Sequence, residues 1–125
     1  MDKFKSSEDY LERILILKRK NNFVRAIDVA NDMGYSKPSV SIALKKLKNN
    51  NFITVDDNTG NIDLTEKGMN LAEYILEKHE IITTCLMALG VDKEIAKEDA
   101  CKIEHDLSDF SFEKLKEYYY SNIKK

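Results

Sequence analysis

Apolar residues recur three and four positions apart through the first third of the chain, and then for a short stretch at every second position. Tyr10, Leu11, Ile14, Leu15 and Leu17 share one face of a helix that the pattern places over about 7–20. Ser6-Ser7-Glu8-Asp9 supplies a cap and first-turn acids for it. Asn21-Asn22 interrupts that pattern, and Ala26, Ile27, Val29, Ala30 and Met33 define a second amphipathic segment. Gly34 stands where a helix C-terminus takes a positive φ. Ser36 is placed to cap a third helix, and Pro38, the only proline, falls in its first turn, where a missing N–H does no harm. Val40, Leu44 and Leu47 mark the inward face of that helix, with Ser39, Ser41, Lys45 and Lys46 outward.

After Asn49-Asn50-Asn51 the period shortens. Phe52, Ile53 and Val55, a polar run from Asp56 to Asn61, then Ile62 and Leu64 predict two short strands around a tight turn. Thr65 is placed to cap a long helix whose apolar stripe, Met69, Ala72, Ile75, Leu76, Ile82, Leu86 and Leu89, continues to Gly90. Two further helices are expected over about 93–106 and 111–123. The order α-α-α-β-β-α-α-α predicts a mostly α protein: an N-terminal winged helix-turn-helix over 1–70 and a C-terminal helical domain over 71–125.

A length of 125 residues, with 42% hydrophobic and 34% charged positions, fits one average domain or two small ones with an ordinary globular composition. No apolar run approaches the roughly 18 residues that would suggest a membrane span, and Met1-Asp2-Lys3-Phe4-Lys5-Ser6 lacks the apolar core of a signal peptide. The expectation is a cytoplasmic protein without a membrane partner, in which Cys85 and Cys101 are thiols or metal ligands rather than a disulfide. The net charge of −2 conceals an asymmetry: residues 1–70 carry 12 Lys/Arg against 10 Asp/Glu, and residues 71–125 carry 8 against 12. Between Asp32 and Asp56 there is no acid, while Lys37, Lys45, Lys46 and Lys48 all fall in that window. One face is thus suited to a polyanion and the rest of the molecule to something else.

The third helix carries the nucleic-acid chemistry. It follows the short Gly34-Tyr35-Ser36 turn, and Ser36, Lys37, Ser39 and Ser41 gather at its N-terminal end. Small polar side chains let a helix sink into the major groove, where its first turns reach base edges. Lys45 and Lys46 lie further along, at the level of phosphates. Asp56 and Asp57 at the hairpin tip oppose this reading, because they would repel phosphate unless turned away. A protein-interaction module built on the same fold is the competing reading.

The second half carries a different chemistry. Cys101, Glu104 and His105 stand at i, i+3 and i+4, on one face of a helix. Thiolate, carboxylate and imidazole are all donors for divalent transition metals. Asp9 and Glu12 form a second i, i+3 pair, and His79 is the only other histidine. Each has a plainer reading: first-turn acids beside a helix dipole, a buried histidine bonded to a carbonyl, a small core cysteine.

Glu8-Asp9-Tyr10-Leu11-Glu12, Ser39-Val40-Ser41, Leu64-Thr65-Glu66-Lys67-Gly68, Lys78-His79-Glu80 and Cys101-Lys102-Ile103-Glu104-His105-Asp106-Leu107-Ser108 resemble, in order and over nearly the whole chain, the diphtheria-toxin-repressor and manganese-transport-regulator family. The resemblance implies a winged-helix unit, a helical dimerisation domain and metal bound at their junction. It implies the ligands Asp9, Glu12, His79, Cys101, Glu104 and His105. It further implies a homodimer acting on double-stranded DNA at a palindromic operator, as a repressor of metal-uptake genes activated by Fe(II) or Mn(II). Asp9 matches the manganese branch and Cys101 the iron branch, so both metals stay open. Thr83 and Lys97 stand where the iron branch has ancillary ligands, and no second site of that kind is expected. A winged-helix regulator with a different effector, or none, is the alternative. No glycine-rich phosphate loop or nucleophile elbow is present, so neither an enzyme nor a small-molecule substrate is expected.

Overall fold

The computed structural model describes residues 3–124, with side chains from Ser7 onward. By its internal contacts the chain divides into two compact units, Met1–Glu73 and Tyr74–Lys125. The element order is the one the periodicity predicts, and the described residues are mostly helical with a single small antiparallel sheet.

In the first unit α1 (Lys3–Lys20), α2 (Ala26–Met33) and α3 (Lys37–Asn49) precede β1 (Ile53–Val55) and β2 (Ile62–Leu64), and α4 (Glu66–Ala88) begins there. Helix α1 starts four residues before the expected position, so Ser6 and Ser7 lie inside the helix and its first turn holds no acid. Lys3-Phe4-Lys5 contains no breaker, and serine costs a helix interior only a fraction of a kcal/mol; a capping residue without a stop before it does not start a helix. The other punctuation acts as expected. Gly34 closes α2 at φ 70°. The Ser36 hydroxyl accepts from the Ser39 N–H at 3.3 Å, with Pro38 in the first turn of α3. Leu11, Ile14, Leu15, Val24, Val29, Val40, Leu47, Ile53 and Ile62 are all at most 2% exposed and form the core of the unit.

The hairpin pairs Ile53 with Leu64, Thr54 with Asp63 and Val55 with Ile62. The turn end of β2 is fastened on the side away from β1: the Ile62 N–H donates to the Val24 carbonyl at 2.7 Å, and Asn61 Oδ1 accepts from the Val24 N–H at 3.1 Å. Lys18 donates to Asn61 Oδ1 and forms a 2.8 Å ion pair with Asp63. At the other end of β2, the Leu64-Thr65-Glu66-Lys67-Gly68 motif has a steric reason. Thr65 Oγ1 donates to the backbone carbonyls of residues 51–52 and accepts from the Gly68 N–H at 3.0 Å, capping α4. A Cβ on Gly68 would stand 1.9 Å from the Phe52 carbonyl oxygen, so only glycine permits this approach.

In the second unit the remainder of α4 packs with α5 (Lys93–Ile103), α6 (Asp109–Tyr118) and a closing π-helical turn, Tyr119–Ile123. Ile81, Cys85 and Phe112 are the buried centre, surrounded by Tyr74, Leu107, Leu115, Tyr119 and Ile123. The Tyr74 ring meets Phe112 edge-on with centroids 5.5 Å apart, and its hydroxyl donates to Asp109 at 2.8 Å. Gly90 ends the long helix at φ 102°. The expected helix over 93–106 stops at Ile103, and the residues after it turn: the N–H groups of Asp106 and Leu107 both bond the Ile103 carbonyl. The cause is Ser108, which caps α6 by accepting from the Ser111 N–H at 3.1 Å and fixes where the next helix begins. Phe112, Ile81 and Ile82 are satisfied within the chain, whereas Leu89 and Phe110 are 80% and 74% exposed.

Candidate functional site

Helix α4 supplies His79, the last turn of α5 supplies Cys101, and the turn after α5 supplies Glu104 and His105. Glu104 is the anchor. Its side chain is fully buried, with Oε2 3.0 Å from His79 Nδ1 and Oε1 3.4 Å from His105 Nε2. The same His79 nitrogen lies 3.8 Å from Cys101 Sγ, and the donor atoms of His79, Cys101 and Glu104 all fall within 4.8 Å of one another. Cys101 is exposed, which removes its reading as a small core residue.

A buried carboxylate needs a positive partner. In the protein alone this is the His79 proton: the hydrogen bond to Cys101, then that to Glu104, push the imidazole pKa up to about 10 against the opposing effect of burial. Glu104 Oε1 is buried without a hydrogen bond. The arrangement fits a divalent transition metal in place of that proton. Donors held about 2.0–2.3 Å from an ion lie roughly 3–4 Å from one another, the range of the His79–Glu104 and His79–Cys101 separations. Imidazole, thiolate and carboxylate together suit iron or manganese better than calcium or magnesium.

Of the six ligands implied by the family resemblance, three thus share one cluster, and His105 faces the second oxygen of the same carboxylate. Asp9 and Glu12 belong to α1 of the first unit, Asp9 partly buried and Glu12 only 7% exposed.

The other candidate surface is α3. Lys37, Ser39, Ser41, Lys45 and Lys46 are all exposed, opposite the buried Val40, Leu44 and Leu47. Ser36 is exposed too, but its hydroxyl is committed to Ser39, as acceptor from the N–H and as donor to Oγ at 2.9 Å. A trough of about 340 Å³ runs between the start of α2, α3 and β1, lined by Ala26, Ser41, Leu44, Lys45, Lys48 and Val55. Two lysines beside a helix N-terminus suit a phosphodiester there. Lys46 instead borders a separate hollow with Ser7, Glu8, Leu11, Asn50, Phe52 and Leu71.

The wing acids resolve in part. Asp56 stays exposed but is bound to its own turn, its carboxylate accepting from the Asn58 and Thr59 N–H groups at 2.8 and 2.9 Å, which holds its pKa below the usual value. Asp63 is neutralised by Lys18. Two residues escaped the sequence reading. Arg25, exposed at the start of α2, lays its alkyl stem 3.6 Å from where a Cβ on Gly60 would be, beside the hairpin tip. Ile42 is exposed in the middle of α3, and its place between outward Ser41 and Lys45 was the available signal.

These features define a winged helix-turn-helix protein that also carries a cluster of metal-ligating side chains. The family described as iron dependent repressor, N-terminal DNA binding domain, matches residues 3–60, and its metal binding and dimerisation domain matches residues 65–121. The chain belongs to this iron-dependent repressor family, the diphtheria-toxin-repressor and manganese-transport-regulator group whose motifs it resembles. It is 41% identical over 113 residues to an HTH-type transcriptional regulator of Methanocaldococcus jannaschii, covering 89% of this chain and 90% of that one. It is 37% identical over 102 residues to the transcriptional regulator MntR of Escherichia coli O157:H7, covering 82% of this chain and 65% of that one. The solved manganese regulator SloR superposes with a TM-score of 0.80 at 32% identity, over 91% of this chain and 53% of that one. The chain therefore spans about half the length of that solved regulator and about two thirds of MntR. These relatives are named as regulators, not enzymes.

Proposed function

We propose that this protein is a metal-activated, DNA-binding transcriptional repressor of metal-uptake genes, with Fe(II) or Mn(II) as the activating ion. Residues 1–70 serve as the DNA-binding domain and 71–125 as the helical metal-binding and dimerisation domain. It works as a homodimer on a palindromic operator, because one recognition helix makes too few base contacts and two of them a DNA turn apart read both half-sites. The exposed Leu89 and Phe110 are candidates for the dimer surface.

The observation that carries the metal reading is the His79–Cys101–Glu104 cluster around a buried carboxylate. When bound, the ion supplies a divalent positive charge to a group of anionic and imidazole donors. Without the ion Glu104 holds His79 through Nδ1; with it, both would donate to the metal, and Cys101 would add a soft donor at the solvent side. His105 belongs to the set through its place on the second Glu104 oxygen, and Asp9 and Glu12 belong to it on the family resemblance. On α3, Lys37, Lys45 and Lys46 meet phosphates, and the Ser36, Ser39 and Ser41 segment sits at the base edges.

The test is duplex binding by metal-stripped protein, using fragmented genomic DNA at fixed salt, titrated separately with Mn²⁺ and Fe²⁺ without oxygen. Affinity should rise 5–150-fold with the activating ion, the span of an ordinary coupling of about 1–3 kcal/mol. Equal affinities with metal and with excess chelator would remove the metal switch.

A further inference from the structure

Resting on the DNA-binding reading above, we infer that Ile42 is a specificity-determining residue that reads the C5-methyl group of a thymine in the major groove. Ile42 is 71% exposed, the most exposed large apolar side chain among the described residues of the first unit. Its position is not a loose end of the chain. Helical positions turn by about 100° per residue, so residue 42 points away from the middle of the buried Val40, Leu44 and Leu47 row, at the crest of the outward face. Ser39 and Ser41 flank it on either side, and Lys45 and Lys46 lie one turn further on. Whatever α3 enters, Ile42 enters deepest.

An isoleucine there makes no hydrogen bond, so it discriminates by apolar contact alone. Base edges in the major groove offer one apolar group, the thymine methyl. Facing a purine instead, the side chain would cover N7 and O6 or N6 without bonding them, which penalises the wrong base by leaving desolvated polar groups unpaired. Its β-branched stem has few χ1 rotamers, so little freedom is lost on contact. Polar reading near the start of the helix is reduced meanwhile, since the Ser36 and Ser39 hydroxyls bond one another at 2.9 Å.

The test uses full-length metal-loaded protein and a pool of randomised DNA duplexes synthesised with either thymidine or deoxyuridine, which differ only in that methyl group. Bound duplexes are sequenced for the wild type, Ile42→Ala, Ile42→Gln and Lys45→Ala. The wild type should select thymine at one position per half-site, by about fourfold for one methyl group buried, and lose that preference in the deoxyuridine pool. Ile42→Ala should lack it in both pools, so the side-chain and methyl deletions are non-additive. Ile42→Gln should move the preference to adenine. Lys45→Ala should bind more weakly while keeping the thymine. Wild-type selection unchanged by deoxyuridine, or thymine selection retained by Ile42→Ala, would overturn the inference while leaving the protein a DNA-binding regulator. An absence of any enriched duplex would overturn the DNA-binding reading itself, and the inference with it. Ile42 is 71% exposed, and coincident thermal melts of the variants check that the fold is intact.

Discussion

Changing Glu104 to glutamine removes one charge from the centre of the candidate metal cluster with almost no change of shape. Oε2 bonds His79 at 3.0 Å, Oε1 faces His105 at 3.4 Å without a hydrogen bond, and the side chain is sealed from solvent. Removing even a group that only orients a ligand typically costs 10–100-fold in metal affinity. Glu104 is proposed both as ligand and as partner of His79, so Glu104→Gln should weaken binding at least about 100-fold. The metal-free protein should lose some stability as well, because the change removes one partner of the buried His79–Glu104 pair. Titration with Mn²⁺, followed by the electron paramagnetic resonance of the free ion, measures the affinity, and thermal melts in chelator measure the fold. A Glu104→Gln protein that binds Mn²⁺ within about threefold of the wild type would refute the assignment of this cluster as the metal site.

The proton on His79 makes the metal-free protein sensitive to alkali. Its pKa is raised from 6.5 to about 10, so its stabilising contribution is complete below 6.5 and is lost as pH rises toward 10. Melts across that interval should show a fall that His79→Gln lacks. Gly68→Ala should destabilise the first unit by at least about 2 kcal/mol, because a Cβ 1.9 Å from the Phe52 oxygen forces the backbone apart; urea unfolding measures it, and an unchanged midpoint would contradict the geometry. Lys45→Ala should weaken binding to all duplexes and lower the slope of log affinity against log salt by about one unit. Unchanged affinity and slope would show that α3 does not face DNA.

Much of the architecture was legible because its signals are local. Gly34, Ser36 and Pro38 punctuate α2 and α3 through backbone φ, a side-chain acceptor and a missing N–H, and none of these depends on distant residues. The start of α1 was less legible: Ser6-Ser7 has capping chemistry, but nothing before it stops a helix. The end of α5 was misplaced because Cys101, Glu104 and His105 share a helical face, while the boundary is set from outside by Ser108 capping α6. The ligand cluster was half visible. Cys101 and Glu104 announce each other by spacing, but their meeting with His79, 22 and 25 residues away, exists only through the packing of α4 against α5. Ile42 went unread, and the disposition of Asp56 was left open, for a related reason. The direction a side chain points is decided by the helical face in one case and by two backbone N–H groups in the other.

The fastening of the start of β2 divides the wing into a fixed part and a replaceable one. Asn61, Ile62 and Asp63 hold β2 to Val24 and Lys18, whereas the tip between Asp56 and Gly60 is held mainly by its own turn. Exposed loop tips of this kind tolerate insertion and deletion far better than the elements they join. A lineage can therefore lengthen, shorten or recharge the tip while strand register and the seating of α3 are preserved. The reach of the wing is thus free to evolve separately from the letters that the recognition helix reads.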